Sequence, residues 1–149
     1  MTRVADADKA AFFEEVGRLS AQAVWCALAT VAGDEARVRI VHPTWEGDTL
    51  WVATGPASAK AKQLSDNASV DVQWQVAPPG FIHIMARGKA QLCMDDATRA
   101  HAWEVIDYDL KDFFAGGPTD PNYVAVKITP TRVELSEMFG STNKRVWRA

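Results

Sequence analysis

The spacing of apolar and polar positions changes several times along the chain, and each change marks a new element. Phe12, Phe13, Val16 and Leu19 recur at helical spacing, with Glu14, Glu15 and Arg18 on other faces and Asp6 or Asp8 available as a cap, so residues 1–22 are predicted to hold an N-terminal helix. From Val24 to Val31 the run is strand-like, Gly33-Asp34 supplies a turn, and about Ala36 to Trp45 forms the returning strand. Gly47-Asp48 reverses the chain again into Leu50 to Thr54, and a short helix follows from Ser58 to Asn67. Val70, Val72, Trp74 and Val76 then alternate with Ser69, Asp71, Gln73 and Gln75, the cleanest period-two pattern in the chain, which predicts a strand with one buried and one polar face. Pro78-Pro79-Gly80 ends it and returns it through Phe81 to Ala90.

Beyond this strand pair the pattern predicts two helical pieces, Asp95 to about Val105 and Asp109 to Phe114, the second ending at Gly116-Gly117-Pro118. The last strand, Tyr123 to Leu135, carries Pro130 near its middle, which suits a bend or an edge better than a central ladder. Residues 136–149 read as a C-terminal tail. Consecutive antiparallel strands interrupted by short helices predict a mainly β fold of six or so strands, a closed or partly split β-barrel with flanking helices. No repeat, low-complexity segment or linker divides residues 1–149, so one domain is expected.

Composition narrows the function classes. Hydrophobic residues make up 48% of the 149 and charged ones 23%, which suits a globular core. No apolar run approaches the roughly 20 residues that span a bilayer. Met1 to Asp6 also lacks the basic-then-apolar order of a secretory leader, so a cytoplasmic protein without a membrane partner is expected. A net charge of −3 argues against a nucleic-acid surface as the main function while leaving room for a local basic pocket. Cys26 and Cys93 lie far apart with no CxxC spacing, and His42, His83 and His101 lack metal-ligand spacing, so reduced structural cysteines and no metal site are expected. No nucleophile elbow, Walker loop or dinucleotide fingerprint is present. The tryptophans at 25, 45, 51, 74, 103 and 147 are expected to build core and interface.

Candidate chemistry concentrates between Thr54 and Leu64. A helix N-terminus already presents unpaired N–H groups and partial positive charge, so Lys60 and Lys62 near the start of the predicted helix are unfavourable unless an anion sits there. Thr54 and Ser58 add hydroxyls, and Arg37 and Arg39 share a parity on the second strand, so one can reach the same anion. The competing reading makes Ser58 a simple N-cap and the lysines a solvated helix face.

Thr54…Ser58-x-Lys60-x-x-x-Leu64-x-x-Asn67, followed by the strand Val70 to Val76 and by Gly88-x-Ala90, resembles the core signature of the pyridoxamine 5'-phosphate oxidase-like flavin-binding split barrels. Phe113 to Asn122 resembles the general stress protein branch of that superfamily, and the likeness runs from about Trp25 to Leu135. The resemblance implies a homodimer binding FMN at the subunit interface. It assigns the phosphate to Arg39, Thr54, Ser58 and Lys60, the flavin ring to the backbone of Ile40 and Val41, and a polar cofactor contact to His83. It further implies a flavin-dependent oxidoreductase, with hydride passing between a donor and flavin N5 and an acceptor reoxidising the cofactor.

Departures from the family pattern bear on the substrate. The oxidases carry a basic residue directly before the motif lysine, where this chain has Ala59, leaving Lys62 as a substitute. The Tyr, Arg and Ser with which those enzymes grip the substrate phosphate are replaced by His101, Val105 and Asp109, so pyridoxamine phosphate oxidation is not expected. The aromatic that often follows the last strand is Ser136, which leaves Phe139 or Trp147 to cover the flavin and Arg145 as a late basic residue. The alternatives are an F420-binding reductase of the same fold, a non-catalytic flavin-binding stress protein and a cofactor-free interaction domain.

Overall fold

Residues 1–149 are described by a computed structural model. Each predicted apolar run becomes an element because its local signals agree. Helix α1 (Lys9–Ser20) buries Phe12, Phe13 and Val16 along one stripe. Strands β2 (Cys26–Ala32) and β3 (Glu35–Val41) pair antiparallel around Gly33, whose φ of +65° is the conformation glycine adopts without a Cβ penalty. Helix α2 (Ala59–Asp66) begins at Ser58, whose hydroxyl accepts from the N–H of Ala61 at 3.1 Å. Strands β6 (Ser69–Gln75) and β7 (His83–Cys93) form an antiparallel pair, and β6 also pairs with β2.

The predicted second strand divides. Its continuation is a separate short strand, β4 (Thr44–Glu46), paired with β5 (Thr49–Thr54), because Pro43 fixes φ, has no N–H to donate and breaks the ladder after β3. The sheet is organised by β8 (Val124–Glu137), which pairs with β7 along its length, with β5 over residues 124–128 and with β9 (Thr142–Arg148) over residues 132–137. Pro130 therefore lies inside a central strand rather than at an edge. It occupies the gap where β8 exchanges β5 for β9, so the bend reading fits and the missing N–H interrupts no continuous ladder on that side. A bulge at Arg87/Gly88 accommodates it, and a Cβ at Gly88 would lie 2.4 Å from the carbonyl oxygen of Thr129, so only glycine fits there.

With the two-residue β1 (Thr2–Arg3), the nine strands run in the order β1-β9-β8-β7-β6-β2-β3, with β5 and β4 branching from β8. This is the split-barrel architecture with helices at its flanks. The expectation of six or so strands falls short because β1, β4 and β9 are short or lie in the segment read as a tail. That tail is strand β9, and its Trp147 packs on Phe13 at 5.0 Å between ring centroids, inside the main core, so it does not cover an external ligand. The piece read as a helix from Asp109 to Phe114 contains one 3-10 turn, Leu110–Asp112. A second, smaller core gathers around the fully buried Tyr123 under α3 (Asp96–Val105).

Candidate functional site

The Ser58 cap brings Lys60 into the first turn of α2, facing the C-terminal end of β5. Lys60 Nζ donates to Thr54 Oγ1 at 3.0 Å, and Thr54 Oγ1 lies 3.2 Å from Ser58 Oγ. Arg39 reaches the same corner from β3, where Nη1 donates to Thr30 Oγ1 at 2.8 Å and Nη2 to Gln63 Oε1 at 2.6 Å. Thr30 Oγ1 in turn donates to Gln63 Oε1 at 2.7 Å.

Neither cation in this corner has a carboxylate partner, since Arg39 and Lys60 take part in none of the ion pairs of the structure. Burial lowers the Lys60 pKa and the neighbouring Arg39 charge lowers it further; Arg39 is likewise lowered by burial and by Arg37. Two half-buried cations held together by hydroxyls and an amide, beside the opening N–H groups of a helix, leave an unmet demand for an anion. The donor set suits a phosphate monoester: a fork, a point charge, three hydroxyls and backbone N–H groups.

Lys60 also lines an open groove of about 580 Å³, within the range of small-molecule sites. Ile40, Val41, Val52 and Ala53 form its sheet wall, and Tyr108, Phe113 and Phe114 face them. His42, at its edge, stacks on Tyr108 with ring centroids 4.3 Å apart, and its Nε2 lies 2.8 Å from Asp107 Oδ1. Burial raises the Tyr108 pKa, and Asp107 adds to the effect.

The segment holding Phe113 and Phe114 is anchored from below. The Asp120 carboxylate accepts from the N–H groups of Gly116 and Asn122, both at 2.8 Å. Buried Arg99 donates to the carbonyls of Asp120 and Tyr123 at 3.1 and 3.0 Å. The Phe113–Asn122 signature is thus a scaffold that turns aromatic rings toward the groove.

Of the residues singled out from sequence, Arg39, Thr54, Ser58 and Lys60 meet in one cluster, and Ile40 and Val41 line the adjoining groove. Lys62 does not join them: it is 79% exposed and pairs with Asp66 at 3.0 Å across one helical turn. Arg37, of the same parity as Arg39, pairs with Glu35. His83 lies outside the groove, with Nδ1 3.3 Å from Gln73 Nε2. Phe139 stays exposed and rests on Phe81, while Arg145 pairs with Glu15 at 2.8 Å.

Sequence reasoning missed Thr30, Gln63 and the wall from Tyr108 to Phe114. Gln63 lies one turn after Lys60 and so shares its helix face, and Thr30 stands opposite Arg37 in the β2–β3 register, a diagonal neighbour of Arg39.

Solved structures repeat this architecture. General Stress Protein 26 from Bacillus anthracis str. Sterne superposes with a TM-score of 0.73 at 23% identity, covering 93% of this chain and 98% of that one. A protein from Mesorhizobium loti described as FAD-binding has a TM-score of 0.64 at 19% identity, over 80% of this chain and 90% of that one. An F420 reductase has a TM-score of 0.60 at 19% identity, over 78% of this chain and 93% of that one. At these identities the likeness carries the fold alone. No protein of curated function matches the chain. The family model described as Pyridoxamine 5'-phosphate oxidase matches residues 12–137, from the core face of α1 to the end of β8, and the chain belongs to that family.

Proposed function

We propose that this protein binds FMN, with the cofactor phosphate in the Arg39–Lys60 corner and the flavin ring along Ile40 and Val41, and acts as a flavin-dependent oxidoreductase on a substrate other than a B6 phosphate. One observation carries the reading: Arg39 and Lys60 are half-buried, lack any carboxylate partner and share hydroxyl ligands beside a helix start. When bound, the flavin supplies the hydride chemistry. The chain's own residues bind and orient it: Arg39 is held in place by Thr30 and Gln63, Lys60 by Thr54, and the apolar wall of Val41, Val52 and Ala53 limits water beside the ring.

The family and the flavin-related neighbours support a flavin-type cofactor, and the groove favours FMN over F420. The longer phosphate-bearing tail of F420 asks for further basic residues, whereas Lys60 is the one cation lining this groove. A homodimer fits the same reading. Val38 and Ile40 on one face of β3, and Trp25 just before β2, are 69%, 67% and 72% exposed, apolar surface suited to a partner.

The absorption spectrum of the purified protein, followed by fluorescence titration with FMN and with F420, tests the cofactor assignment. Flavin bands or saturable FMN quenching are expected; a colourless protein that binds neither overturns it. Sedimentation of wild type against Trp25→Glu tests the dimer, and an unchanged mass overturns that part.

A further inference from the structure

We propose that His42 is a catalytic residue of the groove, exchanging a proton with a substrate heteroatom while hydride passes between that substrate and the cofactor, and that Asp107 positions it. The hydride half rests on the flavin reading; the proton half rests on the arrangement around the ring.

His42 is the first residue past β3, next to Ile40 and Val41, and all three line the groove. Its ring is fixed from two sides. It stacks on Tyr108 at 4.3 Å with an interplanar angle of 26°, and Nε2 lies 2.8 Å from Asp107 Oδ1. Asp107 is itself locked: Oδ1 accepts from Thr44 Oγ1 at 3.1 Å, and the Asp107 N–H donates to Thr44 Oγ1 at 3.2 Å. A carboxylate has no hydrogen to give, so at this distance Nε2 carries the hydrogen of the neutral ring and Nδ1 keeps its lone pair. None of the histidine contacts in the protein involves His42 Nδ1. A ring with one nitrogen open and the other facing a carboxylate is the arrangement that general acid–base catalysis uses.

The surroundings supply both ends of a proton path. His42, Ser20, Thr44 and Asp107 also line a smaller cavity of about 160 Å³, with room for several waters and polar groups to hold them. With its side chain 24% exposed, His42 borders the groove and this cavity at once. Histidine is the side chain whose ordinary proton exchange falls near neutral pH, and His42 is the one histidine lining the groove.

An acceptor with a C=O, C=N or quinone group gains hydride, a proton with two electrons, from the reduced cofactor. Its π bond breaks, and its oxygen or nitrogen takes the proton from Nδ1, whose N–H bond returns its electron pair to the ring. Asp107 faces the positive charge that the ring carries before that transfer, and water entering the smaller cavity restores the proton. Oxidation of an alcohol or amine donor is the same step reversed.

The test loads the protein with FMN, checks saturation by titration and photoreduces it without oxygen. It is then mixed with 1,4-naphthoquinone, which takes up protons with its electrons, or with ferricyanide, which takes electrons alone. His42→Ala should slow the quinone at least about tenfold and leave ferricyanide unchanged, and added imidazole should restore part of the lost rate. In the ligand-free protein, nitrogen-15 spectra should place the neutral ring's hydrogen on Nε2, and Asp107→Ala should mix the two tautomers. An unslowed quinone, equal slowing of both acceptors, or a hydrogen on Nδ1 overturns the proposal. Should His42→Ala fail to fold, His42→Gln, which keeps a polar side chain of similar size, carries the kinetic test. A protein that binds no FMN overturns the flavin reading and this role together, whereas one that binds FMN and loses no quinone rate overturns this role alone.

Discussion

Cations are treated differently at two places in this fold. Near β9, Glu134, only 6% exposed, accepts from Arg132 at 2.9 Å and sits 3.3 Å from Lys144, and Arg145 pairs with Glu15. At the start of α2, Arg39 and Lys60 are equally committed to fixed positions but have only hydroxyls and an amide for company. The protonation equilibria record the difference. Hydrogen bonding to Glu15 raises the Arg145 pKa, whereas burial lowers those of Arg39 and Lys60. Burial alone would raise Glu134, but Arg132 and Lys144 outweigh it and hold the carboxyl below its ordinary value. One cluster is neutralised within the folded chain; the other, in the function proposed above, takes its anion from a ligand.

That contrast breaks most easily at Glu134. Replacing it with alanine leaves Arg132 and Lys144 facing each other without their acid and should cost about 3 kcal/mol, seen as a lower midpoint in urea unfolding. An unchanged midpoint would erase the distinction between the clusters. Lys60→Ala should do the reverse in the ligand-free protein, leaving stability equal or higher, while FMN binding weakens by roughly 1.5 to 3 kcal/mol in a fluorescence titration. Gln63→Ala removes the acceptor that aims Arg39 and should weaken FMN by about 1 kcal/mol with the absorption spectrum of the bound flavin retained.

pH sharpens the comparison because the two shifts have defined signs. Lys60 has a lowered folded pKa, so the unfolded chain binds the proton more tightly and ligand-free stability gains from this residue as pH rises toward the ordinary lysine range. Affinity for FMN should move the opposite way, falling as Lys60 loses its proton, and isothermal titration at rising pH reads it. Glu134, held low, contributes stability that is lost as pH falls through its depressed pKa. The smallest effect belongs to Lys62→Ala, which removes an exposed one-turn pair with Asp66 and should change both stability and FMN affinity by less than ~0.5 kcal/mol. A larger loss of FMN affinity would return Lys62 to the site.

Much of the architecture was legible because it is written in short-range signals. Ser58 caps α2, Gly33 and Gly47 take positive φ in the turns, and the alternation from Val70 to Val76 is the burial pattern of β6. The failures share a cause. Strand β9 carries no clear alternation; it pairs with the adjacent β8, and its Trp147 is buried against Phe13 of α1, far back in the chain. Pro130 sits in a central strand because β8 changes partner there, a fact no local window contains.

The sequence by itself determined that a capped helix opens with lysines after a strand, that Arg37 and Arg39 share a face, and that these residues fit an anion. Only tertiary structure decided which of each pair is used. Parity and helical period define directions, but reach depends on the neighbouring element. The β2–β3 register puts Arg37 opposite Thr30, yet Arg37 turns to Glu35 and Arg39 reaches Thr30 diagonally, and the packing of α2 turns Lys60 to Thr54 and leaves Lys62 in solvent with Asp66.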